Sequence, residues 1–94
     1  MILRVVKMEF KPESLSAFDT LFNQVHAQIE AMPGCSRVQL LKGSENTCLR
    51  TTLSWWENPE DLDAYRRSEL FGQVWPQTKA MFQSPPVAWS SDWP

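Results

Sequence analysis

The sequence predicts an α+β fold, and three observations lead to that prediction. Residues 2–10 alternate apolar and polar side chains, as a half-buried β-strand does. Residues 15–32 carry apolar side chains at spacings of three and four, which is typical of an amphipathic helix. Two later apolar stretches, 35–42 and 47–56, flank the turn-forming residues Gly-Ser-Glu-Asn at 43–46 and therefore predict a β-hairpin.

Turn residues separate the first strand, the first helix and the second strand. The helical spacing begins at Leu15, after the Lys-Pro-Glu-Ser segment that breaks the strand. Pro33 and Gly34 follow Met32, and because neither residue suits a helix interior, we expect the first helix to stop there.

Capping residues predict two further helices before a final strand. Asn58 suits an N-cap and Pro59 suits the first position of a second helix. Ser68 suits the N-cap of a third helix, which we expect Pro76 to kink or break. Residues 87–93 are predicted to form a short last strand, so the predicted order is β-α-β-β-α-α-β in a four-stranded antiparallel sheet.

Length and charge restrict the class of protein. A chain of 94 residues that is 43% hydrophobic fits one domain, 1–94. The net charge of -2 argues against nucleic-acid binding, and we interpret Arg66 and Arg67 as the solvated flank of a helix. The sequence begins without signal-peptide features, and no apolar run approaches the ~20 residues of a membrane span. We therefore expect a cytoplasmic protein with neither a nucleic-acid nor a membrane partner.

The sheet face turned away from the helices is also expected to be apolar. Its predicted side chains are Leu3, Val5, Leu49, Leu53 and Trp55. Since helices on one side of a sheet cover only one face, a second copy of the chain is the simplest cover for the other. The sequence therefore predicts a homodimer in which two sheets pack face to face. The period of two also sends neighbouring Trp55 and Trp56 to opposite faces.

The sequence resembles the antibiotic biosynthesis monooxygenase family of the dimeric α/β-barrel superfamily. The resemblance rests on "FKPESLSAF" at the strand-to-helix junction, on "MPGC" after the first helix, and on the later family pattern. That later pattern is carried by Trp56, Asn58, Leu62, Tyr65, Ser68 and Phe71. The resemblance implies a ferredoxin-like fold, two chains that form a barrel, and, in the oxygenase branch, oxidation without a cofactor of a quinol or a polycyclic aromatic or polyketide-like molecule.

Such chemistry needs a base, a hydrogen-bond donor for the substrate anion and a dry aromatic pocket. The candidate catalytic residues are Tyr65, which the family register places in the site, and His26, the only histidine and so the only side chain of a type suited to act as a base at neutral pH. Tyr65 replaces the His of many relatives, and a neutral tyrosine is a poor base. A structural hydroxyl is the simpler interpretation of Tyr65, and a partly exposed surface position is the simpler interpretation of His26. The expected substrate-binding residues are Arg4, Met8, Phe22, Trp56, Phe71 and Trp75.

Arg4 is the oddity among these residues because it shares a strand face with apolar side chains. A buried guanidinium needs a partner, and we favour a structural carboxylate over an anionic ligand or an exposed strand start. One His and two Cys without close ligand spacing do not form a metal site. Besides the enzyme, the sequence leaves two other hypotheses open: a small-molecule binding protein without catalysis, and a purely structural dimer.

Overall fold

The computed structural model describes residues 1–94 and contains the predicted order of elements. The strands are β1 (Ile2–Glu9), β2 (Cys35–Lys42), β3 (Leu49–Trp56) and β4 (Val87–Asp92). The helices are α1 (Leu15–Glu30), α2 (Pro59–Arg66) and α3 (Glu69–Lys79), with a short 3-10 turn at Pro12–Ser14. The four strands form one antiparallel sheet in the order β2-β3-β1-β4. The predicted α+β, ferredoxin-like fold is confirmed.

The register of β1 and β3 separates the two faces of the sheet. Leu3 pairs with Trp55 and Val5 pairs with Leu53, so these four side chains share the face away from the helices. Trp56 lies on the opposite face, where it joins the buried cluster under the helices. The prediction that Trp55 and Trp56 occupy opposite faces is therefore confirmed.

The core lies between the sheet and α1. Four apolar side chains of α1, at helical spacing, are buried against it: Phe18, Phe22, Val25 and Ile29. Trp56 and Phe10 have no exposed surface, and Phe10 stacks on Phe18 with ring centroids 4.2 Å apart. Burial of each such side chain contributes about 1.5–3 kcal/mol, which makes this layer the main source of stability.

A buried ion pair fixes α1 against β3. The guanidinium of Arg50 donates from Nε and Nη2 to both carboxylate oxygens of Asp19, at 2.9 and 3.0 Å. Its Nη1 also donates to the carbonyls of Thr47 and Leu49. Because every nitrogen of the Arg50 guanidinium has a partner, this cation is stable on the largely buried helix-side face of the sheet.

Gly34 makes the sharp turn from α1 into β2. Its φ of +80° is in the left-handed region that favours glycine. A Cβ at this position would clash with the side chain of Asp61 in α2. The Gly34 carbonyl accepts a hydrogen bond from the Glu57 amide at 2.8 Å, so the close approach ties this turn to the start of α2.

Two predicted details of the elements are wrong. The β2–β3 turn is longer than expected, so that β3 begins at Leu49 and not at residue 47. The reason is a compact turn in which Asn46 Oδ1 accepts from the Cys48 amide at 3.0 Å. In addition, α3 continues through Pro76 to Lys79. Pro76 is exposed and follows Gly72 by four residues, where the absence of a side chain leaves the backbone room to adjust.

The face away from the helices is apolar and partly open. Val87, Trp89 and Trp93 are 57%, 44% and 47% exposed. Trp93 packs edge-on against Trp55 at 5.6 Å, and the Arg37 guanidinium lies 5.4 Å from the Trp55 ring. None of the helices is both long enough and apolar enough to cross a membrane.

Candidate functional site

A cavity of about 240 Å³ lies between the helix-side face of the sheet and the three helices. Of its 20 lining residues, 14 are hydrophobic, so the interior is suited to an apolar ligand. β1 and β3 form the floor, α1 forms one wall, and α2 and α3 form the other. Pro86 and Ala88 line the side nearest the edge strand β4.

Aromatic rings line the wall formed by α2 and α3. Tyr65 meets Phe71 edge-on at 5.3 Å, and Phe71 stacks on Trp75 at 5.7 Å. Ser68 brings these rings together, because its Oγ donates to the Tyr65 carbonyl and accepts from the Phe71 amide. The cap predicted at Ser68 therefore starts α3 and also fixes the angle between the two helices.

The Tyr65 hydroxyl is held in its neutral form. The ring stacks on Trp56 at 5.1 Å, and burial, with a smaller effect of Cys35, raises the pKa of Tyr65 to about 12. A phenol with so high a pKa keeps its proton at neutral pH. Tyr65 therefore has a proton to donate in a hydrogen bond and is unsuited to act as a general base.

Arg4 lines the cavity, but without the structural carboxylate that we favoured from the sequence. Its Nη1 donates to Ser90 Oγ at 3.3 Å, and it takes part in none of the three salt bridges. Partial burial, followed by repulsion from Arg66, lowers the pKa of Arg4. That prediction is wrong because the neighbouring strand β4 presents Ser90 opposite Arg4, and the guanidinium forms an ion pair with no carboxylate, including Asp92 two residues further along β4.

Trp56 and His26 do not line the cavity, although we expected both in the site. Trp56 is fully buried behind Tyr65, and its Nε1 donates to Ser54 Oγ at 2.9 Å. His26 stacks on Phe22, and its Nε2 lies 2.8 Å from the Val38 carbonyl and 3.4 Å from Glu30. Trp56 thus supports the wall from behind, and His26 belongs to the outer flank of α1.

The other predicted site residues meet in one place. Arg4, Met8, Phe22, Tyr65, Phe71 and Trp75 all line the cavity. Whether these residues bind a substrate remains a prediction. They converge from β1, α1, α2 and α3, with the apolar Met8 toward one end of the cavity and the polar groups of Arg4 and Tyr65 toward the other.

Sequence reasoning missed Arg66 and Ser54, which also line the cavity. Arg66 is exposed, as predicted for a solvated flank, but it also follows buried Leu62 by four residues and Tyr65 by one. That spacing places part of Arg66 on the cavity side of α2 and was available in the sequence. The role of Ser54 depends on the sheet register, which pairs it with Arg4, and no local pattern predicts it.

Similarity to known proteins is extensive in structure and low in sequence. The chain resembles a conserved protein from Methanosarcina mazei Go1, with 24% identity, a TM-score of 0.90, and 97% of this chain and 91% of that chain covered. A structure described as an antibiotic biosynthesis monooxygenase is 17% identical, with a TM-score of 0.91, and the match covers 98% of this chain and 97% of that chain. A protein from Mycobacterium tuberculosis is 15% identical, with a TM-score of 0.89, and the match covers 97% of this chain and 92% of that chain. No curated protein sequence matches the chain.

At these identities, the structural similarity shows a shared fold alone. The sequence pattern of a protein family is more informative, because it is matched over residues 1–75, from β1 to Trp75 in α3. That stretch contains all the cavity residues except Thr78, Pro86 and Ala88. The chain belongs to the antibiotic biosynthesis monooxygenase family.

Proposed function

We propose that this protein is a cofactor-independent monooxygenase that oxidises a quinol or a polycyclic aromatic or polyketide-like molecule in the cavity. The observation that carries the proposal is the cavity itself: an apolar space with an aromatic wall and a neutral Tyr65 hydroxyl, in a chain of this family. Aromatic walls hold a flat ring by stacking, and a donor hydroxyl stabilises negative charge on its oxygen.

The reaction requires only the substrate and dioxygen. For a phenol with a free para position, the hydroxyl first loses its proton to solvent, and the para carbon of the resulting phenolate donates electrons to dioxygen and forms a carbon–oxygen bond. The oxygen–oxygen bond then breaks while the para proton leaves, so that one oxygen atom stays as the new quinone carbonyl and the other departs as water. The phenol is oxidised and dioxygen is reduced, and the protein's part is to bind, orient and exclude bulk water.

The volume favours a compact substrate. Pockets for drug-sized ligands span roughly 300–1,000 Å³, and the cavity of about 240 Å³ is smaller than that range. A bicyclic phenol such as 1-naphthol is therefore a suitable probe, because its para position is free and its quinone product absorbs light.

An oxygen electrode tests the proposal with 1-naphthol as substrate. We expect enzyme-dependent oxygen uptake together with formation of 1,4-naphthoquinone. Trp75→Ala removes a stacking surface and should lower kcat/KM by about tenfold, whereas Trp75→Phe keeps a flat ring and should retain most activity. Oxygen uptake that is equal in Trp75→Ala, or absent from the unmodified protein, would contradict the proposal for this substrate class.

A second candidate function is ligand binding without catalysis. It is favoured by the lining of the cavity, which includes no Asp, Glu, His or Lys side chain to act as a base. Calorimetric titration with 1-naphthol under nitrogen separates the two functions. Binding under nitrogen without oxygen uptake in air would support the binding protein and oppose the monooxygenase.

We also propose that two copies of the chain pair through the face away from the helices. Support comes from the exposed Val87, Trp89 and Trp93 beside the apolar side chains of β1 and β3 on that face. Contiguous exposed aromatic side chains of this kind are typical of protein interfaces. The resulting homodimer would be the dimeric α/β barrel that the resemblance implies.

A further inference from the structure

We propose that the cavity binds its aromatic ligand as an anion, with the negatively charged oxygen held by Arg4 and Arg66 in place of a protein base. This inference rests on the proposed function only in taking the cavity as a ligand site. It adds the charge of the ligand and assigns roles to two residues.

The polar end of the cavity contains two guanidinium groups without a counter-ion, although Arg4 donates one hydrogen bond to Ser90 Oγ at 3.3 Å. Neither Arg4 nor Arg66 takes part in a salt bridge, and both line the cavity. Ser54 also lines it, opposite Arg4 in the sheet, and its Oγ already accepts a hydrogen bond from Trp56. The remaining Ser54 proton and the neutral Tyr65 hydroxyl are therefore further donors.

Electrostatics favour an anion at this end. Arg4, Arg66 and Tyr65 are the ionisable lining residues, since Asp, Glu, His and Lys are absent from the lining. Two guanidinium groups that repel one another, with Arg4 partly withdrawn from water, are stabilised together by one negative charge between them. Their field also favours the ionised form of a bound phenol, whose proton leaves to solvent as the anion binds.

The shape of the cavity fixes which part of the ligand carries the charge. Arg4 pairs with Ser54 near the start of β1, whereas Met8 lies toward the other, apolar end. A flat ligand with its ring between Phe22 and Trp75 would direct an oxygen substituent toward Arg4. The shared chemistry is an anionic oxygen on a compact aromatic body, and either a phenolate or a carboxylate supplies it.

Three probes distinguish charge from shape and phenolate from carboxylate. Calorimetry under nitrogen at neutral pH compares 1-naphthoate, 1-naphthol and the neutral 1-naphthalenemethanol. We expect 1-naphthoate to bind at least about tenfold more tightly than the neutral alcohol, because hydrogen bonds to charged groups are the stronger ones. We expect 1-naphthol to bind with release of a proton and to show the absorbance of naphtholate. Proton release would identify a phenolate site, and tight 1-naphthoate binding without it would identify a carboxylate site.

Substitutions assign the effect to the two arginines. Arg4→Gln and Arg66→Gln should each weaken 1-naphthoate binding by about tenfold and should change binding of the neutral alcohol less than about twofold. Arg67→Gln is the matched control, because Arg67 is an exposed neighbour of Arg66 outside the cavity lining. This substitution should change the binding of neither 1-naphthoate nor the neutral alcohol. If Arg4→Gln does not fold, the effect of Arg66→Gln on 1-naphthoate binding tests the proposal, because Arg66 is exposed and its substitution should not disturb folding.

Equal affinities for 1-naphthoate and 1-naphthalenemethanol would overturn the inference. Equal effects of Arg66→Gln and Arg67→Gln on 1-naphthoate affinity would also overturn it. None of these measurements requires oxygen. Oxidation of 1-naphthol by a protein that shows no preference for anions would leave the proposed function standing without the inference. Arginine-dependent binding of 1-naphthoate without any oxidation of 1-naphthol would support the inference and oppose the proposed function.

Discussion

Tyr65 keeps its phenolic proton, because burial leaves too little water around the hydroxyl to stabilise a tyrosinate. Its ring packs against both Trp56 and Phe71, and burial raises its pKa to about 12. Any negative charge that develops on a bound ring therefore meets a neutral hydroxyl. In the proposed reaction, the solvent would act as the base when the substrate binds.

An alkaline titration tests this property directly, since Tyr65 is the only tyrosine in the chain. The tyrosinate absorbance of the folded protein should rise with a midpoint near pH 12, and that of the protein unfolded in urea near pH 10. Because the folded state holds the proton more tightly, the stabilisation is complete below the unfolded pKa and is lost as the pH rises toward the folded value. A folded-state midpoint close to the unfolded one would contradict this account of Tyr65.

Single residues also show how far the sequence predicts the site. Alternation along β1 and β3 correctly places Arg4 and Trp56 on the helix side, but it does not specify depth. Trp56 is hidden because Tyr65 of α2 lies over it, and this depends on the packing of two elements distant in sequence. For the same reason, the sequence could not decide whether Arg4 has a carboxylate partner.

At the scale of elements, the pair Asp19–Arg50 connects α1 to β3 and to the turn before it. Arg50 is buried, whereas Asp19 also lies 3.6 Å from the exposed Lys42. Loss of the Asp19 charge leaves a buried guanidinium without a counter-ion, while loss of Lys42 leaves the main pair intact. The two partners of Asp19 are therefore expected to differ greatly in importance.

Urea unfolding at neutral pH measures that difference. Asp19→Asn should lower the free energy of unfolding by about 2–3 kcal/mol, and Lys42→Gln by less than about 0.5 kcal/mol. The hydrogen bonds from Arg50 lower the pKa of Asp19 below its usual 3.8. The stabilisation is therefore present above that value and is lost as the pH falls through the lower folded pKa. Equal effects of the two substitutions, or an Asp19 contribution that persists in strong acid, would contradict the assignment.

Element boundaries follow from local chemistry more reliably than turns do. Pro59 and Ser68 predict the starts of α2 and α3 because capping depends on neighbouring residues only. The β2–β3 turn is two residues longer than predicted, because Asn46 Oδ1 accepts a hydrogen bond from the Cys48 amide and keeps residues 47 and 48 in the turn. Pro76 remains inside α3 because it lies on the exposed side of the helix. Gly72, four residues earlier, has no side chain, so its backbone can move away from the proline ring.

At the scale of the whole molecule, the uncovered sheet face predicts assembly. Leu53 lies on that face beside Val5 and near Trp55. Leu53→Asp would place an unpaired charge in the proposed interface and should shift the protein from dimer to monomer or unfold it in sedimentation measurements at micromolar concentration. Glu57→Gln, an exposed change outside the sheet, should leave the assembly unchanged. A native protein that sediments as a stable monomer would contradict the proposed barrel.

The central claim is that the cavity brings an aromatic substrate and dioxygen together without a cofactor. The most direct measurement is mass spectrometry of the quinone formed from 1-naphthol under isotopically labelled dioxygen, with purified, metal-free protein. We predict a product that carries one labelled oxygen atom at the new carbonyl, formed by the unmodified protein and far less by Trp75→Ala. An unlabelled quinone, or labelled quinone formed equally without the protein, would contradict the claim.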